Sequence, residues 1–323
     1  MTTSRRLLAL ASTLAVAGLV ASTGAATATV PASGRATDGR CLQRGPIPVR
    51  ALASAARAGC SLVGRVVTDG RVSVLVPPAG TSVSGEGVGR HGDVRGLTVS
   101  NTGATVRAVR GPAVPTSARR GSPAACKDAT FNLEGHKWSS ALRYRVNLQA
   151  MPKRMQASTV VHQIKVANAN MRTGRNSCHK PRLKTPASHY LGRTKAKPNI
   201  KPAEGPSCGA RNSSNIVAFG NLPGGLLGWT CYWWGAHGQM TGADMVIDNG
   251  RDLVTKLPKN CTDSWDFEGT VTHEWGHAYG MAHTGSGHAN LTMQHILSAC
   301  STYARTLGLG DWLGMNQLYG HRH

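Results

Sequence analysis

His273-Glu274-Trp275-Gly276-His277-Ala278-Tyr279-Gly280-Met281-Ala282-His283 is the stretch from which the rest of the chain can be read. It has the form H-E-x-x-H-x-x-G-x-x-H, and Met293 follows ten residues later in Leu291-Thr292-Met293. A helix turns once every 3.6 residues, so His273 and His277 share a face and can reach one metal ion. Glu274 adjoins the first of them and points along the same cleft. Gly280 stands where the helix must stop, and a glycine accepts the positive φ that a sharp bend needs. The bend returns His283 to the metal as a third ligand. Three neutral imidazoles suit zinc and leave one position for water, whose pKa falls to about 7 in such sites. Glu274 is then the general base that takes the water's proton. A buried helix with satisfied histidines, or a closed structural zinc site, is the plainer alternative. Neither gives the glutamate beside the first ligand a purpose.

With these residues the chain resembles a metzincin, and within that clan a matrixin-type protease. The likeness extends over about residues 126–320, densely from 240 onward. Ala243-Asp244-Met245-Val246-Ile247, within Gly242–Asp248, is similar to the family's edge strand, which lines the substrate cleft. Met293 fits the Met-turn beneath the zinc. Arg305 to Gly320, ending Leu318-Tyr319-Gly320, resembles the closing helix, and Leu142-Arg143-Tyr144-Arg145-Val146 resembles the first strand. The resemblance implies an α+β catalytic domain: a twisted mixed sheet, an active-site helix and a closing C-terminal helix. It implies zinc on His273, His277 and His283, Glu274 as base, and a peptide held by strand addition. It also allows calcium, for which Asp248, Asp252, Asp263 and Asp266 are candidates without any calcium-loop spacing to support them.

The chain departs from the family in several places. Thr284 follows the third histidine where matrixins usually carry serine. The stretch from His283 to Met293 is long and rich in small residues, and Asp311 is single where matrixins tend to show a pair. His295 stands two residues past Met293, where other metzincins place a tyrosine that touches the metal or the oxyanion. It is a candidate auxiliary residue or resting-state ligand, or else a solvated or second-layer histidine. His288 reads as a surface residue.

Residues 1–28 read as an export signal: Arg5-Arg6, an apolar run from Leu7 to Val20, and Ala26-Thr27-Ala28 as a cleavage site. The run is too short and alanine-rich for a convincing membrane span, so no transmembrane anchor is expected. Eight cysteines suit four disulfides in an oxidising, extracellular compartment. Cys41 and Cys60 fall in the N-terminal part; the other six fall beyond residue 125, where spacing leaves every pairing open.

Residues 29–110 lack lysine and alternate Val-rich runs with turn signals such as Asp69-Gly70, which reads as a small β-rich module, either a removable propeptide or a retained domain. Cys60 lacks the setting of the family's zinc-blocking cysteine. Residues 111–125 read as a linker with Arg119-Arg120, and 126–323 as the catalytic domain. Within it, Ala157 to Met171 patterns as an amphipathic helix. Residues 172–201 carry nine Lys or Arg and no acid and read as a loop; residues 215–234 read as two buried strands around Pro223-Gly224-Gly225.

The net charge of +22 lies equally on either side of residue 125. Such a field favours anionic partners, with an anionic cell envelope the modest choice. No helix-turn-helix, RNP or zinc-finger pattern supports specific nucleic-acid binding. The expectation is a secreted zinc endopeptidase acting on protein or peptide. Its rivals are a basic envelope- or ligand-binding protein with a zinc-bound but inactive metzincin domain, and a zinc hydrolase of a non-peptide bond.

Overall fold

The structure, a computed structural model, describes residues 26–29, 45–57, 61–91, 95–111, 122–202, 205–250 and 252–320. Most of the expected export signal, both Cys41 and Cys60, and most of the expected linker lie outside the described residues.

The chain begins with β1 (Ala26–Thr29), β2 (Ile47–Pro48), α1 (Leu52–Arg57), β3 (Val66–Asp69), β4 (Val72–Leu75), β5 (Thr81–Glu86), β6 (Leu97–Asn101), β7 (Thr105–Arg110) and β8 (Asn132–Leu133). It continues with β9 (Leu142–Val146), α2 (Ala157–Thr173), β10 (Ser188–Arg193), β11 (Ile200–Lys201), β12 (Ser207–Cys208), β13 (Ile216–Gly220), β14 (Gly228–Gly235) and β15 (Met240–Asp248). It closes with β16 (Leu253–Val254), β17 (Trp265–Asp266), α3 (Phe267–Ala278), β18 (Met281–Ala282) and α4 (Leu309–Tyr319).

The fold is α+β. Among the described residues a mixed sheet runs β1-β7-β6-β5-β14-β15-β13-β9-β10, and a smaller sheet runs β11-β12-β4-β3-β2. Strands β10, β9, β13 and β15 are parallel to one another; the strands from β14 outward to β1 alternate in direction.

Side chains alternate across a strand, and β15 shows what that achieves. Met245 and Ile247 enter the core shared with the helices, while Val246 enters the core shared with the smaller sheet. Both faces of the central strands are covered, so β13 reads as a continuous apolar run, Ile216-Val217-Ala218-Phe219. Helix α2 packs against α3 through Val160, Ile164, Ala167 and Met171 and stops at Gly174, which adopts the left-handed conformation. Helix α3 is buried along all twelve residues, so it is the centre of the molecule rather than an amphipathic surface helix. Asp266 caps it by accepting from Gly269 N at 2.7 Å, and also pairs with Arg305.

The structure corrects the expected edge strand. Ala243–Ile247 lie in β15, which is hydrogen-bonded on both sides, to β13 and to β14. The hairpin through residues 236–239 folds β14 back along β15. The other side of β14 is paired with β5, so β14 is an interior strand as well. The β-rich character expected for residues 29–110 is present, and through β5 these strands continue the sheet of the later residues. Val83 and Val99 share one core with Trp229, Trp233 and Val246. The basic stretch 172–201 is not all loop: it contains the end of α2, all of β10 and all of β11. Cys178 within it bonds to Cys126, Cys208 beyond it bonds to Cys231, and Cys261 pairs with Cys300. No helix among the described residues is long and apolar enough to cross a membrane.

Candidate metal centre

Helix α3 carries His273 and His277 one turn apart, as their spacing predicts. It ends at Ala278, and Gly280 turns the chain with φ 97°. A side chain there would also strike the carbonyl of His136, so the bend has room only for glycine. The chain then runs through β18, pinned antiparallel to β8, and delivers His283.

The three Nε2 atoms lie 3.0, 3.1 and 3.2 Å apart. His273 Nδ1 is 2.6 Å from Thr292 O, and His277 Nδ1 is 3.1 Å from Met281 O. A carbonyl only accepts, so these Nδ1 atoms carry the protons and their Nε2 lone pairs face inward. Lone pairs crowded at that distance repel unless a cation lies between them. Imidazoles bound tetrahedrally at about 2.0–2.1 Å place their nitrogens about 3.3 Å apart, so the arrangement fits a zinc-sized ion. Burial holds all three imidazoles below their ordinary pKa, with their mutual proximity adding to the effect at His273 and His283; the neutral form that results is the ligating one. Among the described residues this is the one group of three or more potential ligands that converges on a point.

Met293 is buried beneath α3, its sulfur against the α-carbon of Gly276, where any side chain would collide with it. The turn is held by Asp311 of α4. Its carboxylate, fully buried, accepts from Thr292 N at 2.7 Å, Met293 N at 2.9 Å and Gly308 N at 2.9 Å. Thr292 in turn orients His273, so the closing helix reaches the metal site through one turn of chain.

Glu274 is fully buried. Its Oε2 accepts from Thr230 Oγ1 at 2.6 Å and its Oε1 from Val88 N at 3.1 Å. Burial raises the carboxyl to about 8, against the opposing pull of those two donors. His295 is also buried, its ring 6.0 Å from that of His283, and burial lowers it to about 4. Neither of its ring nitrogens has a hydrogen-bond partner. His288, expected at the surface, is half-buried and pairs with Asp128 at 2.9 Å.

The acidic candidates for calcium do not assemble. Asp248 and Asp252 both pair with Arg90, Asp266 caps α3 and binds Arg305, and Asp263 is exposed.

Sequence reasoning missed several groups that surround the site. Glu86 from β5 reaches 3.2 Å from His277 Nδ1, and its carboxyl, raised by burial, lies beside that of Glu134, also raised by burial. Thr230 and Val88 donate to the Glu274 carboxylate. Nothing local in sequence marks these positions, because each meets the site through strand pairing with distant residues. Comparison of the chain with protein-family models and with curated proteins gives no match.

Proposed function

We propose that the chain is an exported zinc-dependent endopeptidase of the metzincin type, matrixin-like in its motif. The observation that carries this reading is the convergence of three inward-facing Nε2 atoms beside a glutamate on the same helix. A divalent ion bound there would acidify water and polarise a carbonyl oxygen. His273, His277 and His283 would hold it, with Thr292 and Met281 fixing two of the rings. Glu274 would take the proton from the attacking water and pass it to the leaving amine. His295, buried and unpartnered beside His283, is suited to a developing oxyanion. Three disulfides among the described residues support an oxidising destination, and the basic surface suits an anionic envelope. An extended segment held between two others next to Glu274 favours a polypeptide over a non-peptide substrate.

The test is hydrolysis of an unstructured protein such as casein by the mature protein. Chelation stops it, and Glu274→Ala abolishes it while bound metal and fold remain. Hydrolysis that survives Glu274→Ala removes the assigned base.

A further inference from the structure

Strand β5 runs antiparallel along the outer side of β14, Thr81 opposite Gly235 and Glu86 opposite Thr230. Past Glu86 the chain stays extended and is held on both sides. Leu227 N donates to Val88 O at 2.8 Å and Arg90 N to Gly225 O at 2.9 Å. On the other flank Gly89 N donates to His295 O at 3.2 Å and Leu297 N to Gly89 O at 3.1 Å. The segment is thus antiparallel to residues 225–228 and parallel to residues 295–297.

Alternation sets which residues meet the site. Glu86 approaches His277, and Val88 gives its N–H to Glu274. Gly85 and Gly87 lie against the Trp229 ring, and a side chain at Gly87 would strike both that ring and Gly228 O. The repeated glycine is what lets the strand seat this closely. As a result both carboxylate oxygens of Glu274 are committed, one to Thr230 and one to this segment.

We propose that residues 87–90, the continuation of β5, are an intramolecular occupant of the peptide channel, holding the full chain latent until this segment lifts from between residues 225–228 and 295–297. This rests on the hydrolase reading above. An incoming polypeptide would use the same main-chain partners, Gly225, Leu227, His295 and Leu297, so occupant and substrate exclude each other. Activity of the intact chain is then scaled by the fraction in which the groove is open. No blocking cysteine is required: strand pairing and one N–H to the base suffice.

The experiment uses the full zinc-loaded chain and two variants. Val88→Pro removes the N–H given to Glu274 and leaves the carbonyl that accepts from Leu227. Gly87→Leu drives the strand off Trp229. Three quantities are read: hydrogen exchange at the Leu227 and Leu297 amides, hydrolysis of fluorescently labelled casein, and bound zinc, which reports that the fold survives. The expected result is faster exchange at both amides and hydrolysis raised about tenfold or more, with zinc unchanged. Casein hydrolysis equal in the wild-type chain and in variants whose two amides have been freed overturns the latency and leaves the hydrolase intact. Fast exchange at Leu227 and Leu297 already in the wild-type chain also overturns it. Zinc-loaded variants with freed amides and no hydrolysis overturn the hydrolase reading itself.

Discussion

Two regions meet at Glu274, and they were reached by different routes. Helix α3 and the turn after it, Phe267 to Met293, are one continuous stretch of chain, and their histidines and glycine are set by spacings of three, four and six. The segment 87–90 meets the same carboxylate across 186 residues of sequence. The first region makes a site that could hold a cation; under the proposed latency the second decides whether anything else can reach it. A local motif therefore reports what a site can do, and long-range pairing reports when it can do it.

The largest effect should come from breaking the first region. Removing the metal with a chelator takes away whatever stability binding supplies. That is about 4 kcal/mol when the free ion stands about a thousandfold above its dissociation constant, and thermal unfolding with and without chelator measures it. His277→Ala should abolish that difference.

Next is the support beneath the site. Asp311→Ala leaves the Thr292, Met293 and Gly308 N–H groups buried without a partner, at a cost of about 3 kcal/mol. Denaturant unfolding checks this, and a change below about 0.5 kcal/mol would show that α4 does not hold the turn. Gly276→Ala puts a methyl group into the Met293 sulfur and should cost about 2 kcal/mol by the same measurement.

The smallest effect concerns the boundary between the two regions, where Glu86 of β5 meets Glu134. Burial raises the Glu134 carboxyl from 4.5 to about 7. The folded chain then keeps a proton that the unfolded chain has already released. Stability from this group is present below about pH 4.5 and is lost as pH rises through about 7. Glu134→Gln should flatten the fall in melting temperature between about pH 5 and about pH 7.5. A fall of unchanged size would show that the pair does not titrate across that range.

Much of the first region was legible. The positions of α2 and α3, the bend at Gly280 and the return of His283 toward His273 and His277 follow from helical period, a glycine's freedom and the motif's register, while α4 and the buried Met293 were placed by the resemblance. The strand runs in residues 215–234 were also readable, because strands covered on both faces are continuously apolar, whereas Leu142–Val146, which alternates buried and exposed residues, was placed by the resemblance. Strand order was not readable. Ala243–Ile247 look the same in sequence at an edge or in an interior, and only the hairpin from β14 and the pairing with β13 place them inside. Nor was the role of Ser84-Gly85-Glu86-Gly87-Val88-Gly89 readable, because its glycines resemble turn punctuation until Trp229 is seen against them. Glu86 was one of four acids before residue 126, with nothing near it in sequence to suggest a histidine at 277.

The central claim is that three imidazole lone pairs converge on one divalent ion. Calorimetric titration of zinc into metal-stripped full chain tests it most directly. The account predicts one equivalent bound by the wild-type chain and by Glu274→Ala, and none at that affinity by His277→Ala. A folded wild-type chain that takes up no zinc, or a His277→Ala chain that binds it as tightly, would contradict it.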